Sequence, residues 1–116
     1  QGNGAIVNIA SIAGRGASVN GGAYGAAKAG VINMTLTMAH EWGPEIRVNA
    51  IAVGGIETPH RPRWADAARE SALTDRAVMK RLGTPEEHAG TVLWLVSDYG
   101  GYITGAVIDA HGGARV

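Results

Sequence analysis

Between Gly4 and Val53 the apolar residues change their spacing twice, and that change restricts the fold more than any other feature of the chain. Gly4-Ala5-Ile6-Val7-Asn8-Ile9-Ala10 is a short, nearly continuous apolar run, which suits a strand covered on both faces in a parallel sheet. From about Ala23 to Trp42 the period lengthens: Ala27, Val31, Met34 and Met38 fall at i, i+4, i+7 and i+11, one stripe of a helix. Ala29, Ile32, Leu36 and Ala39 form a second stripe on roughly the opposite side, so this helix needs cover from a sheet and from another helix. Gly43-Pro44 ends it, because proline lacks the N–H for the next backbone bond and glycine suits a left-handed cap. Ile46 to Val53 returns to an apolar strand, closed by Gly54-Gly55. Strand, helix and strand make one βαβ unit whose strands run parallel.

Residues 57 to 83 break the pattern and read as a lid: a loop with one or two short helices. They carry Pro59 and Pro62, and Arg61, Arg63, Arg69, Arg76, Lys80 and Arg81 outnumber Asp66, Glu70 and Asp75. That excess reads first as a solvated face and second as a handle for an anionic substrate such as a carrier-linked phosphate. Trp64, Leu73 and Met79 are the apolar residues expected to line a pocket there. Thr84-Pro85-Glu86-Glu87 is a capping box that starts a helix running to about Ser97, with Ala89, Val92, Leu93 and Val96 on one face. Ala106 to Ala110 is a third strand, closed by Gly112-Gly113. The fold class is α/β: a Rossmann-like doubly wound parallel sheet, of which the chain supplies the C-terminal three strands and two main helices. Three strands with open flanks are marginal alone, so residues 1–116 are expected to be the C-terminal part of one larger domain.

Composition removes several classes of function. Ten basic residues cancel ten acidic ones and 46% of the chain is apolar, so neither a disordered chain nor an electrostatic glove for nucleic acid is expected. Without cysteine there is no disulfide scaffold, thiolate-bound zinc or cysteine nucleophile. His40, His60, His88 and His111 lack metal-ligand spacing, and no metal is expected. No apolar stretch reaches the roughly 18 residues of a membrane span. Gln1-Gly2-Asn3-Gly4 does not resemble a signal peptide, and a cytoplasmic protein is the expectation.

Chemistry concentrates in three residues. Tyr24 and Lys28 stand four apart at the start of the long helix, so their side chains leave neighbouring points on one face. Ser11 follows the first strand at its C-terminal end, the edge where open parallel sheets hold ligands, and the three are expected to share one crevice. A free tyrosine titrates near pH ~10, and a neighbouring ammonium stabilises the phenolate, which suits the phenol to general acid–base work. A serine hydroxyl can hold a substrate oxygen while the phenol delivers its proton, leaving the carbon open to a hydride from a bound cofactor. Ser11 lacks the Gly-x-Ser-x-Gly elbow of a hydrolase. An isolated Tyr-x-x-x-Lys is a weak signal; joint placement with Ser11 and the Val48-Asn49-Ala50 strand gives this one its weight.

Gly4-x-Ile6-Val7-Asn8-Ile9-x-Ser11, Tyr24-Gly25-Ala26-Ala27-Lys28 and Arg47-Val48-Asn49-Ala50-Ile51-Ala52-Val53-Gly54-x-Ile56-Glu57-Thr58-Pro59 occur in that order. Arg81-Leu82-Gly83-Thr84-Pro85-Glu86-Glu87, Tyr102-Ile103-Thr104-Gly105 and Gly112-Gly113 follow, and Ser11 stands thirteen residues before Tyr24. Over nearly the whole chain the series resembles the short-chain dehydrogenase/reductase family. The resemblance implies an oxidoreductase that moves hydride between NAD or NADP and a carbonyl/alcohol substrate, such as a 3-oxoacyl thioester or a sugar, steroid or alicyclic alcohol. It implies Tyr24 as the proton donor or acceptor, Ser11 as the group orienting the substrate oxygen, and Lys28 as the partner that eases phenol ionisation and grips the nicotinamide ribose. The cofactor-binding positions it implies are Tyr24, Lys28, Gly54, Gly55, Ile56 and Thr58, the last two holding the carboxamide. A homodimer or homotetramer paired through the long helix also follows from it, with a small-molecule substrate and neither nucleic acid nor membrane as partner.

Two positions depart from the family: Val53 stands where proline is usual, and His111 where aspartate commonly precedes the last Gly-Gly. The family's glycine-rich turn, its adenosine-selecting residue and its upstream catalytic Asn have no counterpart in these residues. Gly14-Arg15-Gly16-Ala17-Ser18-Val19 does not replace the turn, because its sixth position is Val19 and no helix is expected to open there. Tight dinucleotide binding by these residues alone is therefore not expected. The rival expectation is a truncated, non-catalytic module acting in oligomer assembly.

Overall fold

Each apolar run forms the element that its spacing requires. In the computed structural model, which describes residues 3–58 and 67–114, β1 spans Gly4–Ser11, α1 Gly22–Trp42, β2 Ile46–Val53, α2 Ala67–Arg76, α3 Pro85–Val96 and β3 Val107–Ala110. Single 3-10 turns follow β1 at Ile12–Gly14 and α3 at Asp98–Gly100. The expected lid thus holds one described helix, α2; Pro59, His60, Arg61, Pro62, Arg63, Trp64 and Asp66 lie outside the described residues.

The strands form a parallel sheet in the order β1-β2-β3, with Asn8 beside Ala50 and Ala52 beside Asp109. Side chains alternate across a strand, so this register sorts the packing. Asn8 donates to the Thr35 hydroxyl (3.0 Å), which puts α1 on the Asn8/Ala50 face. Arg47 and Asn49 have the other parity: Arg47 donates to the carbonyls of Leu95, Gly100 and Ile103, and Asn49 to that of Ile103 while accepting from Ala106. The end of α3 is thereby tied to the opposite face, and the sheet is covered from both sides. The middle strand supplies most of the core, with Val48, Ala50, Ile51 and Ala52 fully buried beside Ala10 and Leu95.

Three local expectations need correction. The sheet-facing stripe of α1 is Gly25, Lys28, Ile32, Thr35 and Ala39, whereas Ala29 and Leu36 are exposed. An apolar count misses it because Thr35, wholly buried, satisfies its hydroxyl on Val31 and Asn8. The inward face of α3 is His88, Thr91, Val92 and Leu95, while Ala89, Leu93 and Val96 are exposed; five consecutive apolar residues from Val92 to Val96 leave the period undefined. Gly43 caps α1 with an extended backbone (φ −74°, ψ 153°) and not a left-handed one. The capping box of α3 is as expected, with Thr84 accepting from Glu87 N–H at 3.2 Å and Glu87 accepting from Thr84 N–H at 2.9 Å.

Candidate active site

Ser11 ends β1 with an extended backbone and caps the turn that follows, its Oγ accepting from the Ala13 N–H at 3.1 Å. The residue is 6% exposed. With one lone pair engaged by its own turn, the hydroxyl keeps its proton free to donate. Two glycines let this turn lie directly on α1. A Cβ at Gly14 would stand 2.6 Å from the Lys28 carbonyl carbon and 2.7 Å from the Ala29 nitrogen. A Cβ at Gly25 would stand 2.6 Å from Ser18 Cβ and 3.1 Å from the Ala13 oxygen. The turn therefore rests against the helix between Tyr24 and Lys28.

Lys28 reaches from the helix to the strand. Its Nζ donates to the Ile9 carbonyl at 3.3 Å and lies 5.7 Å from the centre of the Tyr24 ring. An ammonium has three donors, so this contact leaves capacity for further oxygens. Tyr24 is 54% exposed at the first turn of α1. Among the described residues no hydrogen bond joins Ser11 to Tyr24 or Lys28; the turn that Ser11 caps touches the helix that carries both, at Lys28 and Gly25.

Residues 54–58 leave the end of β2 beside this group. Ile56 forms an isolated parallel bridge with Gly83: the Gly83 N–H donates to the Gly55 oxygen (2.9 Å) and the Glu57 N–H to the Gly83 oxygen (2.8 Å). In such a bridge the N–H and C=O of the central residue point away from the partner, and among the described residues no backbone bond occupies those of Ile56. Gly54 and Gly55 are explained by packing within the chain, since a Cβ would meet His111 Cβ at 2.8 Å and Leu82 Cδ2 at 2.7 Å respectively. Thr58 is exposed.

The remaining candidates resolve into local contacts. Arg81 makes two 2.7 Å bonds to Glu87, which with the Thr84 N–H holds that carboxyl down at about 2, and Lys80 donates to the Asp75 carbonyl. Arg81 is thereby committed to a carboxylate of its own chain, whereas Lys80 engages a single carbonyl. His111 accepts from the Ala114 N–H through Nδ1 (2.9 Å), a local polar contact. A cleft of about 510 Å³ does include Met79, with Leu82, His88 and the Gly112-Gly113 turn, away from Ser11 and Tyr24. No group of His, Asp or Glu suited to a metal occurs among the described residues. No described helix is long and apolar enough to cross a membrane. Sequence reasoning missed the roles of Arg47, Asn49 and the Arg15–Asp109 ion pair. Two polar residues of one parity inside an apolar strand were the available signal for the first two.

A parallel sheet wound on both faces, with reactive side chains at the carboxyl ends of its strands, defines the Rossmann-type α/β class. Residues 1–115 match the sequence profile of the family described as enoyl-(acyl carrier protein) reductase. The chain is 48% identical over 114 residues to the 3-oxoacyl-(acyl-carrier-protein) reductase FabG of Thermotoga maritima, covering 97% of this chain and 46% of that protein. It is 41% identical over 117 residues to the 7alpha-hydroxysteroid dehydrogenase of Bacteroides fragilis, covering 100% of this chain and 45% of that one. A solved 7 alpha-hydroxysteroid dehydrogenase complexed with NADH and 7-oxo glycochenodeoxycholic acid superimposes with a TM-score of 0.89 at 30% identity, over 97% of this chain and 45% of that one. The chain belongs to the short-chain dehydrogenase/reductase family. It spans just under half the length of these curated relatives.

Proposed function

We propose that these residues are the C-terminal catalytic part of an NAD- or NADP-dependent oxidoreductase that interconverts a carbonyl and an alcohol. The observation that carries the proposal is the Lys28 ammonium held beside the Tyr24 ring, next to the turn that Ser11 caps. The residues fit a nicotinamide nucleotide. Ile56 offers one backbone donor and one acceptor that no described residue occupies, the complement of a carboxamide, and Lys28 retains donors for ribose hydroxyls. Thr58 adds a hydroxyl beside Ile56, and Gly54-Gly55 shape the turn that presents it.

The proton chemistry belongs to the chain. Ser11, its lone pair engaged by Ala13, donates to the substrate oxygen and fixes its position. Tyr24 transfers its phenolic proton to that oxygen during reduction and takes it back during oxidation. Lys28 stabilises the phenolate formed in the first case by charge. The nicotinamide, when bound, supplies or accepts the hydride.

The named activities of the relatives favour a 3-oxoacyl thioester or a hydroxysteroid as substrate, beside the sugar and alicyclic alcohol classes. Carbonyl-dependent oxidation of NADH and NADPH by the intact enzyme, followed at 3-oxoacyl and ketosteroid substrates, tests the function. Turnover that falls about 100-fold but stays measurable in Ser11→Ala supports it, and no carbonyl-dependent oxidation with any of these classes opposes it. Pairing with a second copy along α1, as a homodimer or homotetramer, belongs to the same proposal. Ala27, Val31, Met34 and Met38, the other stripe of α1, line a groove of about 440 Å³ with Asn8 and Gly30, and Met34 is over half exposed. Light scattering that returns only the monomer mass would contradict the pairing.

A further inference from the structure

The turn that carries Ser11 has a second anchor, 94 residues away in sequence. Ser11 caps one end of Ile12–Gly14, and Arg15 closes the other, its N–H donating to the Ile12 carbonyl at 3.0 Å. The Arg15 guanidinium then makes two parallel 3.0 Å bonds, Nε to Oδ1 and Nη2 to Oδ2 of Asp109 on β3. β2 lies between β1 and β3, so this fork crosses the carboxyl end of β2 to join the turn after β1 to β3. His111 Nε2 is 3.8 Å from the same carboxylate, and its ring is fixed by the Ala114 N–H, which links the pair to the Gly112-Gly113 turn.

We propose that Arg15 and Asp109 are positioning residues for the Ser11 hydroxyl. The inference rests on the catalytic role proposed for Ser11. Among the described residues the turn is held by the Ala13–Ser11 cap, the contacts of Gly14 with Lys28 and of Ala13 with Gly25 on α1, and this ion pair. Of these, among the described residues, the ion pair alone reaches β3. Its side chains are 36% and 40% exposed, so its contribution to folding stability is small. Its planar two-bond geometry, in contrast, fixes direction as well as distance, and a lysine in place of Arg15 cannot reproduce it. Displacements well below the length of a bond to the substrate oxygen are enough to slow a positioned reaction.

The test uses Arg15→Lys, Asp109→Asn and the exchanged pair Arg15→Asp/Asp109→Arg in the intact enzyme, each made with Ser11 and with Ser11→Ala. With Ser11 present, both single variants should lower kcat about tenfold, leave KM for the nucleotide unchanged, and keep Tm within about 2 °C. The exchanged pair should recover part of the loss. With Ser11→Ala no further loss should follow, because the group being positioned is gone. Hydrogen exchange at the Ala13 and Arg15 amides should quicken about tenfold in Arg15→Lys, a readout independent of turnover. Unchanged kcat in the single variants, or the same fractional loss with Ser11→Ala, overturns the inference while leaving the functional proposal standing. Full activity of Ser11→Ala alone overturns both.

Discussion

Lys28 donates to the Ile9 carbonyl at 3.3 Å while its ammonium lies 5.7 Å from the centre of the Tyr24 ring. One side chain thus spans β1 and α1, the strand and helix that present Ser11 and Tyr24. Lys28→Met removes the charge and both contacts. It should lower kcat by about 100-fold and weaken nucleotide binding, measured by steady-state kinetics and by titration with NADH. Lys28→Arg keeps the charge with a different shape and should recover only part of the activity.

Gly14→Ala tests how the turn is seated. The new methyl group would meet helix backbone at 2.6 Å, which neither a rotamer change nor a flexible neighbour can relieve. The turn must lift from α1, and stability should fall by about 1–3 kcal/mol in chemical denaturation. Turnover at a temperature where the variant stays folded should fall further than stability alone explains, because Ser11 moves with the turn.

Buried polar pairs hold the two faces of the sheet. Thr35→Val leaves the Asn8 amide without its acceptor at a wholly buried position and should cost about 1–3 kcal/mol. Asn49→Leu removes the bonds to Ile103 and Ala106 and should cost at least as much, with the 103–106 segment losing amide protection first.

The Arg81–Glu87 pair predicts an acid-side signature. The Arg81 bonds, then the Thr84 N–H, lower the Glu87 carboxyl from 4.5 to about 2. A carboxyl lowered by folding contributes stability that is fully present above its unfolded value and is lost as protons reach the folded one. The midpoint difference between the native protein and Glu87→Gln should therefore be constant above about pH 4.5 and close toward pH 2. Both side chains are nearly half exposed, so the difference should also shrink in high salt.

Much of this molecule was legible in its sequence because the signals were local. The βαβ unit followed from two changes of apolar period, and the capping box from four consecutive residues, Thr84 to Glu87. The inward faces of α1 and α3 were not legible, because Thr35, His88 and Thr91 face the interior while Leu36 and Leu93 do not. Polar partners found only in the fold decide such cases, as Asn8 does for Thr35. Of the candidate site, the Tyr24–Lys28 spacing was readable from helix geometry. The seat of Ser11 was not, since it depends on Gly14 and Gly25 touching α1 and on Arg15 meeting Asp109 across the sheet.

The most direct test of the proposed chemistry is the turnover of Tyr24→Phe in the intact enzyme, with NADH binding measured on the same sample. Removing one oxygen should abolish nearly all carbonyl reduction, about a 100-fold loss or more, while nucleotide affinity stays within a few-fold of the native value. Carbonyl reduction retained at close to the native rate would contradict the assignment of Tyr24 as the proton donor, and with it the role given to Lys28.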